Sequence, residues 1–162
     1  MPSMVGVQPL TPDGAAPPMA VVRTATRADS EAIVRMGQAF HASSPYRQHF
    51  TLDPNRCAMT VEWVLAHGAI FIAERNGQPI GMLGLVVTPH LMADIHTASE
   101  VFWWVMPEAR GYGLQLLRHG ERWAKSRGAT SLQVIAPTDD IERLYQRLGF
   151  QKVEAMYTRP LG

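Results

Sequence analysis

From residue 20 onward, apolar positions fall into alternating stretches of strand and helix period. Residues 20–24 (Ala-Val-Val-Arg-Thr) read as a short strand. Thr26 and Asp29 stand at capping-box spacing, a hydroxyl to accept backbone N–H groups and a carboxylate three residues on. Ile33, Met36 and Phe40 share one face of the helix they open, and Ser43, Ser44 and Pro45 break it. Asp53 followed by Pro54 starts a second helix, because the acid can cap and proline at the first helical position gives up an N–H that has no partner anyway. Its inner face is Cys57, Val61, Val64 and Leu65, and Gly68 ends it. Two apolar strands, 69–74 and 80–88, meet through Asn76-Gly77, a pair that favours the two-residue hairpin turn. Residues 90–98 carry no decided pattern and read as a loop into a strand that ends at Met106.

The helix of residues 114–127 places Leu116, Leu117, Gly120, Trp123 and Ala124 on its buried face and Arg118, Glu121, Arg122 and Lys125 in water. Gly128 stops it, and residues 132–136 form a short strand. A last helix begins at Pro137-Thr138 with Ile141, Tyr145 and Leu148 on one side; Gly149 suits its left-handed cap and Phe150 packs back. Residues 151–158 read as a final strand. The order is β-α-α-β-β-β-α-β-α-β, of mixed α/β (α+β) class. Three successive strands make an antiparallel meander and the later strand–helix–strand unit requires a parallel pair, so one mixed sheet carries helices on both faces.

Residues 1–19 fit neither period. Pro2, Pro9, Pro12, Pro17 and Pro18 mark them as a flexible leader, possible contact for a partner, ahead of a domain over residues 20–162. Of the 162 residues 46% are hydrophobic and 18% charged, the balance of a globular domain. Fifteen basic against 14 acidic side chains give little support to non-specific binding of nucleic acid or an acidic membrane. The single cysteine, Cys57, excludes an internal disulfide and a cysteine-rich zinc site. The histidines have no ligand spacing, so no metal is expected. No apolar run reaches the roughly 20 residues that cross a bilayer, and a cytoplasmic setting fits.

Candidate chemistry concentrates in residues 100–137. An aromatic and β-branched strand (Val101-Phe-Trp-Trp-Val105) feeds Pro107-Glu-Ala-Arg-Gly-Tyr-Gly-Leu114 and then a helix. Such a strand, glycine turn and helix can hold phosphate through backbone N–H groups and the helix dipole. The turn lacks the lysine of a P-loop and the third glycine of a dinucleotide fingerprint. Trp103 and Trp104 point to opposite faces of the strand.

Val105-Met-Pro-Glu-Ala-Arg-Gly-Tyr-Gly113, together with Leu144-Tyr-Gln-Arg-Leu-Gly-Phe150, resembles the GNAT superfamily of N-acetyltransferases, over residues 20–158. The family loop reads Gln or Arg, two residues, Gly, one residue, Gly or Ala; Arg110 and Gly113 match, and Gln115 stands at the last small position. The resemblance implies a central sheet of six to seven strands and acetyl-CoA as cofactor. It implies that Arg110, Gly111, Tyr112, Gly113 and Leu114 face the pyrophosphate, and that the pantetheine arm enters between splayed strands to pair near Val105 and Met106. Thr138 stands where many members contact the cofactor through asparagine. Tyr145 matches the tyrosine that protonates the departing sulfur, and Glu100 lies where some members place a general base, with His96 as runner-up.

The acceptor implied is an amine on a small molecule, a peptide N-terminus or a protein lysine, gripped by residues 40–52, which carry His41, Tyr46, Arg47, His49 and Phe50, and by the 90–98 loop. No acidic cluster in these segments would attract a polyamine. A homodimer is compatible with the resemblance. Two alternatives stay open: a module that keeps this fold but works by binding another protein, and an enzyme that carries a longer acyl group.

Overall fold

The computed structural model describes residues 20–162, and the expected leader lies outside the described residues. Among these residues five strands form one sheet in the order β1-β2-β3-β4-β5. β1 (Val21–Thr24), β2 (Gly68–Arg75), β3 (Gln78–Pro89) and β4 (His96–Val105) pair antiparallel in succession. β5 (Ala129–Gln133) pairs parallel with β4. The helices are α1 (Ser30–Ser43), α2 (Pro54–His67), α3 (Gly113–Ser126) and α4 (Asp139–Arg147).

Local signals place most of these boundaries. Asp53 caps α2 by accepting the Asn55 N–H at 2.9 Å. Asn76 and Gly77 adopt φ of 53° and 72°, the left-handed pair that matches the twist of a hairpin. Gly149, at φ 92°, turns the chain after α4 so that the Phe150 N–H reaches the Tyr145 carbonyl at 3.0 Å. Thr26 donates its N–H to Asp29 Oδ2 at 2.8 Å, one arm of the expected capping box, both arms of which are present. Asp29 also takes both ends of the Arg23 guanidinium, at 2.7 and 2.9 Å, while Arg23 reaches Glu74 on β2 at 2.7 Å. This fork ties β1, the turn after it and β2 together, and it holds the Asp29 carboxyl down at about 2 through the Arg23 bond first.

Alternation along the central strands divides the core between two faces. Ile70, Ile72 and Met82 pack with Ile33, Met36, Val61 and Val64 of α1 and α2. Phe71, Leu83, Leu85 and Leu116 pack on the other side under α3. α3 approaches the sheet closely at Gly120, where a Cβ would stand 2.7 Å from Leu85 Cδ1 and 2.9 Å from Leu83 Cδ2. Trp103 joins the α3 side and Trp104 the α1/α2 side, as period two requires.

The chain departs from the sequence expectation at its end. Residues 151–158 are exposed and pair with no strand among the described residues, so the sheet has five strands where six to seven were expected. Their apolar side chains, Val153, Met156 and Tyr157, find no core to enter. The strand after α3 is also displaced: pairing with β4 uses Ala129–Gln133, not residues 132–136, because hydroxyl and amide side chains match across the pair. Thr97 Oγ1 and Ser131 Oγ lie 3.0 Å apart, and Ser99 Oγ donates to Gln133 Oε1 at 3.2 Å. β4 begins at His96, inside the stretch read as a loop.

Candidate active site

β4 loses its parallel neighbour midway. It pairs with β3 from His96 to Val105, but with β5 only from His96 to Ser99. From residue 100 to 105 the outer edge of β4 therefore has no strand partner among the described residues. Peptide groups along such an edge are available to another extended chain or ligand. Met106 is not part of this edge, since its N–H is taken by the Ile80 carbonyl at 2.9 Å.

Glu100 stands where the two strands part. Its Oε2 accepts the Ile135 N–H at 3.0 Å, across the opening. Tyr145, brought in by α4, donates its hydroxyl to the Ile135 carbonyl at 3.3 Å. One residue thus anchors both candidate catalytic side chains. Burial pushes the Glu100 carboxyl up to about 7, against the pull of the Ile135 bond. Burial first, and then the Glu100 charge, push the Tyr145 phenol well above its ordinary value, so the hydroxyl keeps its proton at neutral pH. Tyr145 stacks on Trp103 with ring centroids 5.6 Å apart and planes 10° from parallel, and Phe150 closes its other side at 5.6 Å. Trp103 is the site residue that sequence reading missed. Strand period put it on the face opposite Trp104, but nothing local announced a tyrosine from α4 against it.

The glycine turn is a 3-10 helix, Pro107–Tyr112, running directly into α3. Gly111 and Gly113 adopt no left-handed backbone. A Cβ on Gly111 would meet nothing within 4 Å, so this glycine leaves open surface beside exposed Arg110. Gly113 is buried, where a Cβ would stand 3.6–3.9 Å from the side chains of Val105 and Trp103, and Leu114 is exposed in the first turn of α3. Tyr112 packs its ring into the core with Leu116 and Phe71. Val105 and Met106 pack against the same cluster and stay partly exposed. Thr138 caps α4, its carbonyl accepting the Glu142 N–H at 3.0 Å. His96, the runner-up base, is exposed at the start of β4, about 13 Å along the strand from Glu100 at the usual rise per residue. A bare edge of β4, an unshielded Gly111 and a neighbouring guanidinium fit a long ligand with an anionic end, as acetyl-CoA is.

Opposite this cluster, a bulge interrupts the β3–β4 register: Gly84 faces Phe102 and Leu85 faces Glu100, leaving Val101 unpaired. Period two is broken there, and the consecutive Val101 and Phe102 both turn toward α1 and α2. They line a cavity of about 490 Å³ between those helices and the sheet. The aromatic residues of the expected acceptor segment, Phe40, His41, Tyr46 and Phe50, close it. Arg47 and His49 do not line it, and neither does Trp104. Cys57, read as a core residue, is half-buried in its wall, where desolvation pushes the thiol up and away from nucleophilic chemistry.

Three solved structures illustrate the likeness of fold. A transcriptional regulator from Bacillus halodurans C-125 superposes with a TM-score of 0.71 at 22% identity, over 88% of this chain and 100% of that one. A predicted acetyltransferase from Clostridium acetobutylicum, solved with acetyl-CoA, gives 0.71 at 18% identity over 88% and 97%. AAC(6')-Iy, in complex with the bisubstrate analogue CoA-S-monomethyl-acetylneamine, gives 0.70 at 19% identity over 88% and 97%. No curated protein sequence matches the chain. No helix of the described residues is long and apolar enough to cross a membrane. The model of the acetyltransferase (GNAT) family matches residues 35–150, from within α1 to the residue after the Gly149 turn, and takes in both the divided strand β4 and Tyr145. The chain belongs to the GNAT family of acetyltransferases.

Proposed function

We propose that this acetyltransferase moves an acetyl group from acetyl-CoA to a primary amine by direct attack, with Glu100 as general base and Tyr145 as general acid. The observation that carries the reading is the convergence of both side chains on Ile135, at the point where β4 and β5 part. Acetyl-CoA supplies an acyl group already activated as a thioester, so no covalent enzyme intermediate is needed. Glu100, at about 7, is matched to taking a proton from an attacking amine near neutral pH. The N–C bond forms, the C–S bond breaks, and the sulfur takes a proton from the Tyr145 hydroxyl. Trp103 and Phe150 hold that hydroxyl in place from either side. Arg110 and the bare surface of Gly111 bind the anionic end of the donor.

Release of free thiol from acetyl-CoA in the presence of a panel of amines tests this reading. Turnover that rises with pH through about 7, and that drops on the order of 10²-fold or more in Tyr145→Phe, is expected. A folded protein that neither binds acetyl-CoA at millimolar concentration nor acetylates any amine refutes it, in favour of a fold retained for binding another protein.

A further inference from the structure

We infer that the acceptor amine has an aromatic or branched apolar body, seated in the cavity between α1, α2 and the bulge of β4. The inference rests on the acetyl transfer proposed above and narrows it to a class of substrate. At about 490 Å³ the cavity has the size of a small-molecule site. Its floor is Val101, Phe102 and Met82 of the sheet, with Ile33 and Val61 of the helices beside them. Phe40, Tyr46 and Phe50 form its aromatic rim, with successive ring centroids 6.0 and 5.8 Å apart.

Three of the polar side chains on this wall are already engaged. His41 Nε2 lies 2.9 Å from the Phe50 carbonyl. The Asp53 carboxylate holds the Asn55 N–H, and the Thr60 hydroxyl donates to the Arg56 carbonyl at 3.1 Å. The guanidinium of Arg56, at the exposed margin, has no ion pair among the described residues. A polyamine would meet that cation and a single carboxylate, Asp53, which already accepts the Asn55 N–H, and an amino sugar would leave most of its hydroxyls unpaired against apolar walls. An apolar body loses nothing by entering and gains by leaving water. Val101, on the floor, directly follows Glu100 in β4 at the bulge.

Gly37 on α1 provides a test that spares the core. It lines the cavity, and a Cβ there would meet nothing within 4 Å. Gly37→Leu therefore extends into the cavity from a position whose Cβ has room, and leucine is a better helix former than glycine. Binding of 2-phenylethylamine, spermidine and an aminoglycoside to the protein saturated with coenzyme A is measured by calorimetry, alongside acetylation of each. The expected result is binding and acetylation of 2-phenylethylamine in preference to the other two. Gly37→Leu should weaken that binding roughly tenfold or more while leaving acetyl-CoA binding intact. Preferential binding of spermidine or the aminoglycoside, no binding of 2-phenylethylamine, or indifference to Gly37→Leu overturns the inference. The proposed function fails separately, on absence of acetyl-CoA binding and of any acetylation.

Discussion

Glu100→Gln keeps the shape of the side chain and an oxygen for the Ile135 N–H, but removes the charge that burial disfavours. The Glu100 carboxyl titrates at about 7 in the folded protein against an ordinary value of 4.5. Between these values the folded state holds a proton that the unfolded chain has released. Stability attributable to this group therefore falls as pH rises from about 4.5 through 7 and stays low above it. The gap corresponds to about 3 kcal/mol at about 1.4 kcal/mol per pH unit, a ceiling that water entering the opening lowers. At pH 8 the glutamine variant should be more stable than the parent by up to that amount. At pH 4.5, where both side chains are neutral, the advantage should vanish. The same variant has no base and should lose on the order of 10²-fold or more in turnover. Urea unfolding of both proteins from pH 4.5 to 8.5 reads the first effect, and thiol release from acetyl-CoA reads the second. An equal loss of stability in Glu100→Gln at every pH would refute the reasoning, because it would mean that ionising this carboxyl costs the folded state nothing.

Three other substitutions probe the surrounding structure. Trp103→Leu removes the ring on which Tyr145 stacks and should lower kcat roughly tenfold; made in a Tyr145→Phe background it should add little, and full additivity in that double-mutant cycle would deny Trp103 a positioning role. Gly120→Val forces a branched side chain into the 2.7 and 2.9 Å approaches to Leu85 and Leu83 and should cost about 1–3 kcal/mol in urea unfolding; an unchanged midpoint would show that α3 can lift from the sheet freely. Asp29→Asn breaks the Arg23 fork and should cost about 2 kcal/mol at pH 7, a loss present above the ordinary value of 3.8 that fades as pH falls toward about 2; a cost independent of pH would remove the ion pair as its cause.

What was legible in the sequence was local. The Asp53-Pro54 cap, the Asn76-Gly77 turn and the Gly149 stop each depend on residues within one turn of one another, so their physics is complete in a short stretch. The strand–turn–helix order and Tyr145 on the last helix were recognisable for the same reason, because family motifs are written along the chain. The residues brought together at Ile135 were named in advance as separate candidates, but their meeting depends on where β5 stops pairing with β4, and that register is set by side chains 34 positions apart. The raised Glu100 carboxyl follows from burial, and burial is a property of everything packed around it. Alternation alone would have sent Val101 and Phe102 to opposite faces; a bulge of one residue placed both in the cavity. The expected strand at residues 151–158 failed in the other direction. Its alternating sequence was suited to a sheet, but a strand exists only against a neighbour, and the structure provides none among the described residues. The sequence by itself determined which short segments fold and which residues could react; pairing between distant segments decided which of them meet, because register, burial and electrostatic strain have no local cause.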